Sequence, residues 1–255
     1  MQLLYKIVIF RIFISISRYL IFNLIGKFKT LYDPKDKVKN ITTYEIGKSG
    51  LEHNLVYRKL PVKFNLKQIK KKLLQYSGKK VELLIYPLKA IDYINFSEFK
   101  ILSIGPRVES ELMTIRSMGF KWKNIKAIDL HTYSNLIELG DMHDIKYENN
   151  SFDIVVSGWT LRYSTNVKKA MSEMLRVTKP GGIISIGFSY IPAGQENPND
   201  KADITSDNRI YKTDQIKEFY KNDIKNVYFE FDAFTDNPEV QRPSIIIFRI
   251  KNKLV

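Results

Sequence analysis

Four short stretches of this chain carry the residue types that hold a nucleoside-like ligand. Gly105 ends the apolar run Ile101-Leu102-Ser103-Ile104. With no side chain there, a ligand can approach the backbone, and a following helix offers free N–H groups. Asp129 closes a second run, Ile125 to Leu130, 24 residues after Gly105. That spacing suits a carboxylate accepting both hydroxyls of a ribose. Gly140-Asp141-Met142 and Ser157-Gly158-Trp159 stand at the ends of a third and a fourth run. In open α/β sheets ligands bind beyond the carboxyl ends of the strands, where these four stretches would meet.

The elements that must position them follow from the pattern of apolar residues. Strands are expected at 101–104, 125–130, 136–140, 152–157 and 183–188. Helical patterns lie between them, at Glu109–Gly119 and Asn166–Val177, and Lys179-Pro180-Gly181-Gly182 reads as a turn into the fifth strand. Strands alternating with helices imply a parallel sheet covered on both faces. A helix capped by Thr213 is expected over 214–221. Two strands, 227–234 and 244–250, flank Asp236-Asn237-Pro238 as an antiparallel edge hairpin. Upstream, Asn65 is read as the cap of a helix over 66–76, and Val81–Tyr86 as a short strand ended by Pro87. The predicted fold class is α/β: a Rossmann-like three-layer sandwich, a mostly parallel seven-stranded sheet with an antiparallel edge hairpin, plus an N-terminal helical extension. The predicted organisation is an apolar and basic N-terminal helix (1–30), a cap or substrate region (31–99) and the α/β domain (100–255).

Over about residues 100–190 the chain resembles the class I S-adenosylmethionine-dependent methyltransferases, in particular those with a type 11 domain. ILSIG stands at the first strand and its glycine loop, and AIDL at the ribose-binding acid. GDMHDIKYENNSFDIVVSGWTLRY matches the stretch from the adenine-binding acid through the fourth strand. MLRVTKPGGIISIG matches the entry to the fifth strand. The resemblance implies S-adenosylmethionine as cofactor, Gly105 beside its methionine moiety and Asp129 on its ribose. It further implies Asp141 accepting from the adenine amino group, Met142 beside the ring, and Ser157, Gly158 and Trp159 lining the floor near the sulfonium. The family's loop usually reads acid-x-Gly-x-Gly-x-Gly, whereas this chain has Ser103-Ile104-Gly105-Pro106-Arg107-Val108-Glu109. Arg107 and Glu109 are candidates to replace it, a guanidinium pairing with the amino-acid carboxylate and a carboxylate with its ammonium.

Composition narrows the alternatives. The 255 residues include no Cys and only three His, at 53, 131 and 143. A disulfide framework, a thiolate metal site and a cysteine nucleophile are thereby excluded, and no metal site is expected. Residues 1–100 carry 20 Lys and Arg against 7 Asp and Glu, a net of +13; the remainder carries 21 against 20. Such a field favours an anionic partner. Ile7–Ile25 reads IVIFRIFISISRYLIFNLI, long enough to cross a bilayer. Its 13 Ile, Val, Leu and Phe favour insertion by about 6 kcal/mol, while Arg11 and Arg18 oppose it by up to roughly 2.5–3.5 kcal/mol each. Arg11, Ser15 and Arg18 form one polar stripe, so a helix lying in the headgroup layer is a second arrangement, and one packed on the protein a third. The expected location is cytoplasmic, at the inner face of a membrane where this segment attaches.

Methyl transfer needs an acceptor held in line more than it needs acid–base machinery. No catalytic residue is assigned. His131, His143, Tyr163 and Tyr190 lie in the right stretches for a base, with structural roles expected for each. The expected acceptor is a small or lipid-linked molecule, contacted by Ile191–Arg209 and residues 31–99, since loops carry specificity on such scaffolds. The alternative is a catalytically degenerate, membrane-tethered binding module. No Asn/Asp-Pro-Pro-Tyr/Phe motif follows the fourth strand, which argues against a nucleic-acid acceptor. The missing G-x-G-x-x-G argues against a nicotinamide dehydrogenase.

Overall fold

The structure, a computed structural model, describes residues 42–43, 79–106, 109–132, 134–164, 166–190, 210, 212–232 and 242–252. The expected helices at 7–25 and 66–76, the 191–209 segment, Arg107 and the 236–238 turn lie outside the described residues.

Nine strands are described: β1 (Thr42–Thr43), β2 (Ile101–Ile104), β3 (Ile125–Asp129), β4 (His131–Thr132), β5 (Glu138–Leu139), β6 (Phe152–Gly158), β7 (Thr178–Tyr190), β8 (Ile224–Phe231) and β9 (Arg242–Ile250). Seven form one sheet in the order β5-β3-β2-β6-β7-β9-β8. All neighbours run parallel except at β9, which is antiparallel to both β7 and β8. The α/β class, the mostly parallel seven-stranded sheet and its antiparallel edge are therefore as the sequence predicts. β1 and β4 make a separate antiparallel pair that no pattern in the chain announces.

The central strands read as continuous apolar runs because both of their faces are covered. Every residue of β2 is buried, as are the four residues 154–157 of β6. On one face lie α3 (Val167–Val177) and α4 (Thr213–Phe219), whose Ala170, Met171, Met174 and Ile216 join Val155, Ile184 and Phe248 in one core. On the other lie α1 (Lys79–Ile85) and α2 (Glu109–Ser117), whose Leu84, Leu112 and Ile115 join Ile101, Ile154 and Ile247. α3 starts where Asn166 accepts the Lys169 N–H at 2.9 Å, an N-cap. It stops where the Thr178 hydroxyl donates back to Met174 O at 2.6 Å.

Three local expectations are corrected. Residues 81–86 are helical, and Pro87 sits in the 3-10 turn Tyr86–Ala90 that continues the helix. Val81, Leu84, Ile85 and Leu88 all bury on one helical face, a period a short apolar run does not distinguish from a strand's. β7 begins at Thr178, so the Lys-Pro-Gly-Gly stretch runs within the strand; Thr178 pairs with Phe152, and Lys179 meets Asp153 at 2.8 Å. Thr213 is the first residue of α4 rather than its cap, because its hydroxyl is held by Asp232 and Glu230 at 2.6 and 2.5 Å.

Candidate functional site

Three of the sequence-predicted residues meet at the carboxyl ends of β2, β3 and β5, stitched by backbone hydrogen bonds. Gly105 N–H donates to Ile128 O at 2.8 Å, and Gly140 N–H donates to Asp129 O at 3.0 Å. Gly105 and Gly140 thus flank the tip of β3, and Asp141 follows Gly140 directly. Gly140 packs its bare Cα on Ile128, where an added Cβ would lie 3.1 Å from the isoleucine Cβ. Asp129 is half-buried at this tip.

Gly105 has φ +71°, a conformation that favours glycine. The space where its Cβ would stand is taken by Thr160, whose Cβ would be 2.9 Å away and whose outer atoms would be closer. The Thr160 hydroxyl is shared between Ile104 O (3.0 Å) and Gly158 O (3.2 Å), tying the ends of β2 and β6 together. Glu109, in the first turn of α2, accepts from the Ser134 hydroxyl at 2.5 Å.

Asp141 is buried, and its Oδ1 accepts two hydrogen bonds from His143, the backbone N–H at 2.8 Å and ring Nδ1 at 2.6 Å. Burial pushes this carboxyl up. The hydrogen bonds from His143, with nearby positive charge, outweigh burial and hold it below the usual carboxylate range. The other ring nitrogen, Nε2, meets Ser164 Oγ at 2.7 Å.

Met142 points into the α3/α4 core at 6% exposure. Trp159, at φ +59°, packs into the opposite core; its ring lies where a Cβ on Gly187 would be 2.8 Å from Cζ3. Ser157 is different. It is fully buried at the end of β6, beside Ile104 of β2 and Ile186 of β7, and its hydroxyl has no hydrogen-bond partner among the described residues. Tyr163 lies beside Arg162, whose guanidinium carbon stands 5.2 Å from the ring centroid. The side chains of His131 and Tyr190 lie outside those described.

Thr160, Ser134 and Ser164 are the neighbours that sequence reasoning missed. Each is a small hydroxyl residue 21 to 55 positions from the group it touches, with no local signal to mark it. Among the described residues no cluster of three His, Asp or Glu could hold a metal ion. Nor is any described helix long and apolar enough to cross a membrane.

The residues fit an adenosyl ligand at its nucleoside end. A half-buried carboxylate stands at the tip of β3, a second carboxylate has one oxygen saturated, and a buried hydroxyl lacks a partner. Comparison with known proteins bears on the domain and not on these residues. Residues 119–186 match a family model described as a methyltransferase domain, of type 11. The demethylmenaquinone methyltransferase of Desulfitobacterium hafniense is 43% identical over 54 residues, 20% of this chain and 21% of that protein. That of Renibacterium salmoninarum is 51% identical over 52 residues, covering 20% and 22%. A protein of Acanthamoeba polyphaga mimivirus named as a RING finger protein is 26% identical over 207 residues, covering 73% of this chain and 30% of its own. The chain thus spans between a fifth and a third of the length of these curated relatives. Among solved structures, a Haloferax volcanii chain in complex with a methyltransferase activator superposes at TM-score 0.58 with 13% identity, covering 78% of this chain and 99% of that one. A Galdieria sulphuraria protein described as a sarcosine dimethylglycine methyltransferase gives 0.54 with 15% identity, covering 73% and 89%. At such identities the likeness is one of fold. The strand order of the sheet and the order of the motifs accord with the family match, which covers residues 119–186 of the chain.

Proposed function

We propose that the protein is an enzyme that transfers the methyl group of S-adenosylmethionine to a small or lipid-linked acceptor, on the cytoplasmic face of a membrane that its apolar N-terminal segment approaches. The observation that supports this reading is the backbone stitching of Gly105, Asp129 and Gly140, which sets Asp129 and the residue before Asp141 side by side at one edge of the sheet. In this reading Asp129 holds the ribose hydroxyls and Asp141 the adenine amino group. Met142 contributes its backbone, and Ser157 offers its unpartnered hydroxyl. Gly105 supports the loop, and Arg107 and Glu109 bind the amino-acid end. The bound cofactor supplies a sulfonium whose methyl is already activated, so the chain's task is to exclude water and hold the acceptor in line. Relatives named for a quinone acceptor support the lipid-linked side of the proposal, as does the basic, apolar N-terminal region.

A second reading, a binding module without methyl transfer, draws on Thr160 filling the space over Gly105 and on the absent glycines at 107 and 109. Calorimetry with S-adenosylmethionine and S-adenosylhomocysteine separates the two. Saturable binding by the wild type, weakened roughly 10-fold or more in Asp129→Ala at unchanged melting temperature, is expected for a charged hydrogen bond to the sugar. No binding at millimolar cofactor would sink the enzyme reading. Methyl transfer from radiolabelled cofactor into a quinone in vesicles, against a panel of soluble amines and alcohols, then assigns the acceptor.

A further inference from the structure

Asp141 can serve as a recognition group only if its carboxylate is held in one rotamer, and a side chain in a loop has no intrinsic reason to hold still. Here the holding is done by a chain of hydrogen bonds. His143 donates to Oδ1 twice, through its backbone N–H at 2.8 Å and through ring Nδ1 at 2.6 Å. The ring is fixed at its far end by Ser164 Oγ, 2.7 Å from Nε2. Ser164 is itself 1% exposed and accepts the Asn166 N–H at 3.1 Å. Asn166 is the N-cap of α3. An acid after β5 is thereby tied through one imidazole to the segment between β6 and α3.

The tautomer follows from the partners. Asp141 as a carboxylate can only accept, so Nδ1 carries the proton. In the neutral ring Nε2 is an acceptor, and the Ser164 hydroxyl hydrogen has it as a partner while the oxygen takes the Asn166 N–H. Each atom in the chain then has a role consistent with its neighbours. Oδ1 is saturated, so Oδ2 is the oxygen available to a ligand's donor.

We propose that His143 is a positioning residue for nucleobase recognition: it locks Asp141 so that Oδ2 meets the exocyclic amino group of an adenine. The proposal rests on the cofactor-binding reading above and extends it to selection of base. It leaves His143 with no part in proton transfer, because both ring nitrogens are engaged by the chain itself.

The test compares two ligands that differ at that amino group, S-adenosylhomocysteine and its inosine analogue, in which an oxo group replaces the amine. Calorimetry is run on wild type, His143→Ala, His143→Asn and His143→Gln. Asparagine keeps an N–H donor near the Nδ1 position, while glutamine moves it to the position of Nε2. The wild type is expected to prefer the adenine ligand by tenfold or more. The preference should fall to threefold or less in the alanine and glutamine variants and return in the asparagine variant, a pattern that a general loss of stability does not produce. Should His143→Ala fail to fold, the asparagine–glutamine pair still reads the same contrast. A folded alanine or glutamine variant that discriminates as well as wild type would overturn the assignment of His143 alone. A wild type that binds neither ligand would overturn the cofactor reading beneath it.

Discussion

Thr160 stands in the place that a side chain on Gly105 would need. A Cβ built on Gly105 lies within 2.9 Å of Thr160 Cβ, Cγ2 and Oγ1, and Gly105 already has φ +71°. Two separate penalties therefore face any substitution: about 1–2 kcal/mol for an L residue in the left-handed region, and about 1–3 kcal/mol for overpacking. Gly105→Ala is expected to lower stability by roughly 2–5 kcal/mol, read as a shifted urea midpoint at unchanged slope. Made in a Thr160→Gly background, the same change should cost only the conformational share. Equal costs in both backgrounds would show that the Thr160 contact does not matter.

Ser157 buries a hydroxyl with no partner among the described residues. Burial of an unpaired hydroxyl costs about 1–3 kcal/mol by mutational measures, and removing it breaks no hydrogen bond. Ser157→Ala is therefore expected to leave stability unchanged or to raise it by about 1 kcal/mol, while cofactor affinity falls. Urea denaturation and calorimetry on the same preparation check both halves. Unaltered affinity would take Ser157 out of the site.

Glu173 and Arg176 clamp the loop that follows Asp141. Arg176 donates to Glu173 and to the carbonyls of Ile145 and Tyr147, and Glu173 accepts the Ile145 N–H at 2.9 Å. Burial pushes the Glu173 carboxyl up. The hydrogen bonds from Arg176 and Ile145, with the Arg176 charge, outweigh it and hold the group below the ordinary range. Because the folded value lies below the unfolded one, the unfolded chain binds the proton more readily. Stability is then fully present above the ordinary carboxylate range and is lost as pH falls through the folded value. Asp141 works in the same direction. Glu173→Gln should lower stability at neutral pH by up to about 3 kcal/mol, since it leaves Arg176 without its charge partner. It should also flatten the decline between pH about 5 and 2, measured as urea midpoints against pH. An acid limb as steep as the wild type's would remove Glu173 as its cause.

The central sheet was legible because its inner strands β2, β6 and β7 are covered on both faces and are therefore mostly apolar. β2, β3, β6 and the core of β7 stand where the apolar runs are. Residues 81–86 were misread for the converse reason. A run of six apolar and polar residues carries too few turns to declare its period, and tertiary packing of Val81, Leu84, Ile85 and Leu88 on one face, with Leu84 against Gly187 and Gly158, accompanies the helix. Trp159 and Met142 illustrate the same limit at the site. Both are themselves predicted cofactor residues, and both direct their side chains into the hydrophobic cores.

The amino-acid sequence by itself determined the α/β class, the order of the motifs, and which residues stand at strand ends: Gly105, Asp129, Asp141 and Ser157. These follow from local periodicity and from the backbone freedom of glycine, which every stretch of chain carries with it. Tertiary structure alone decided that Thr160 covers Gly105 and that His143 joins Asp141 to Ser164. Such pairings join residues far apart in the chain. They exist only once parallel strands have settled into register and brought their ends to one edge of the sheet.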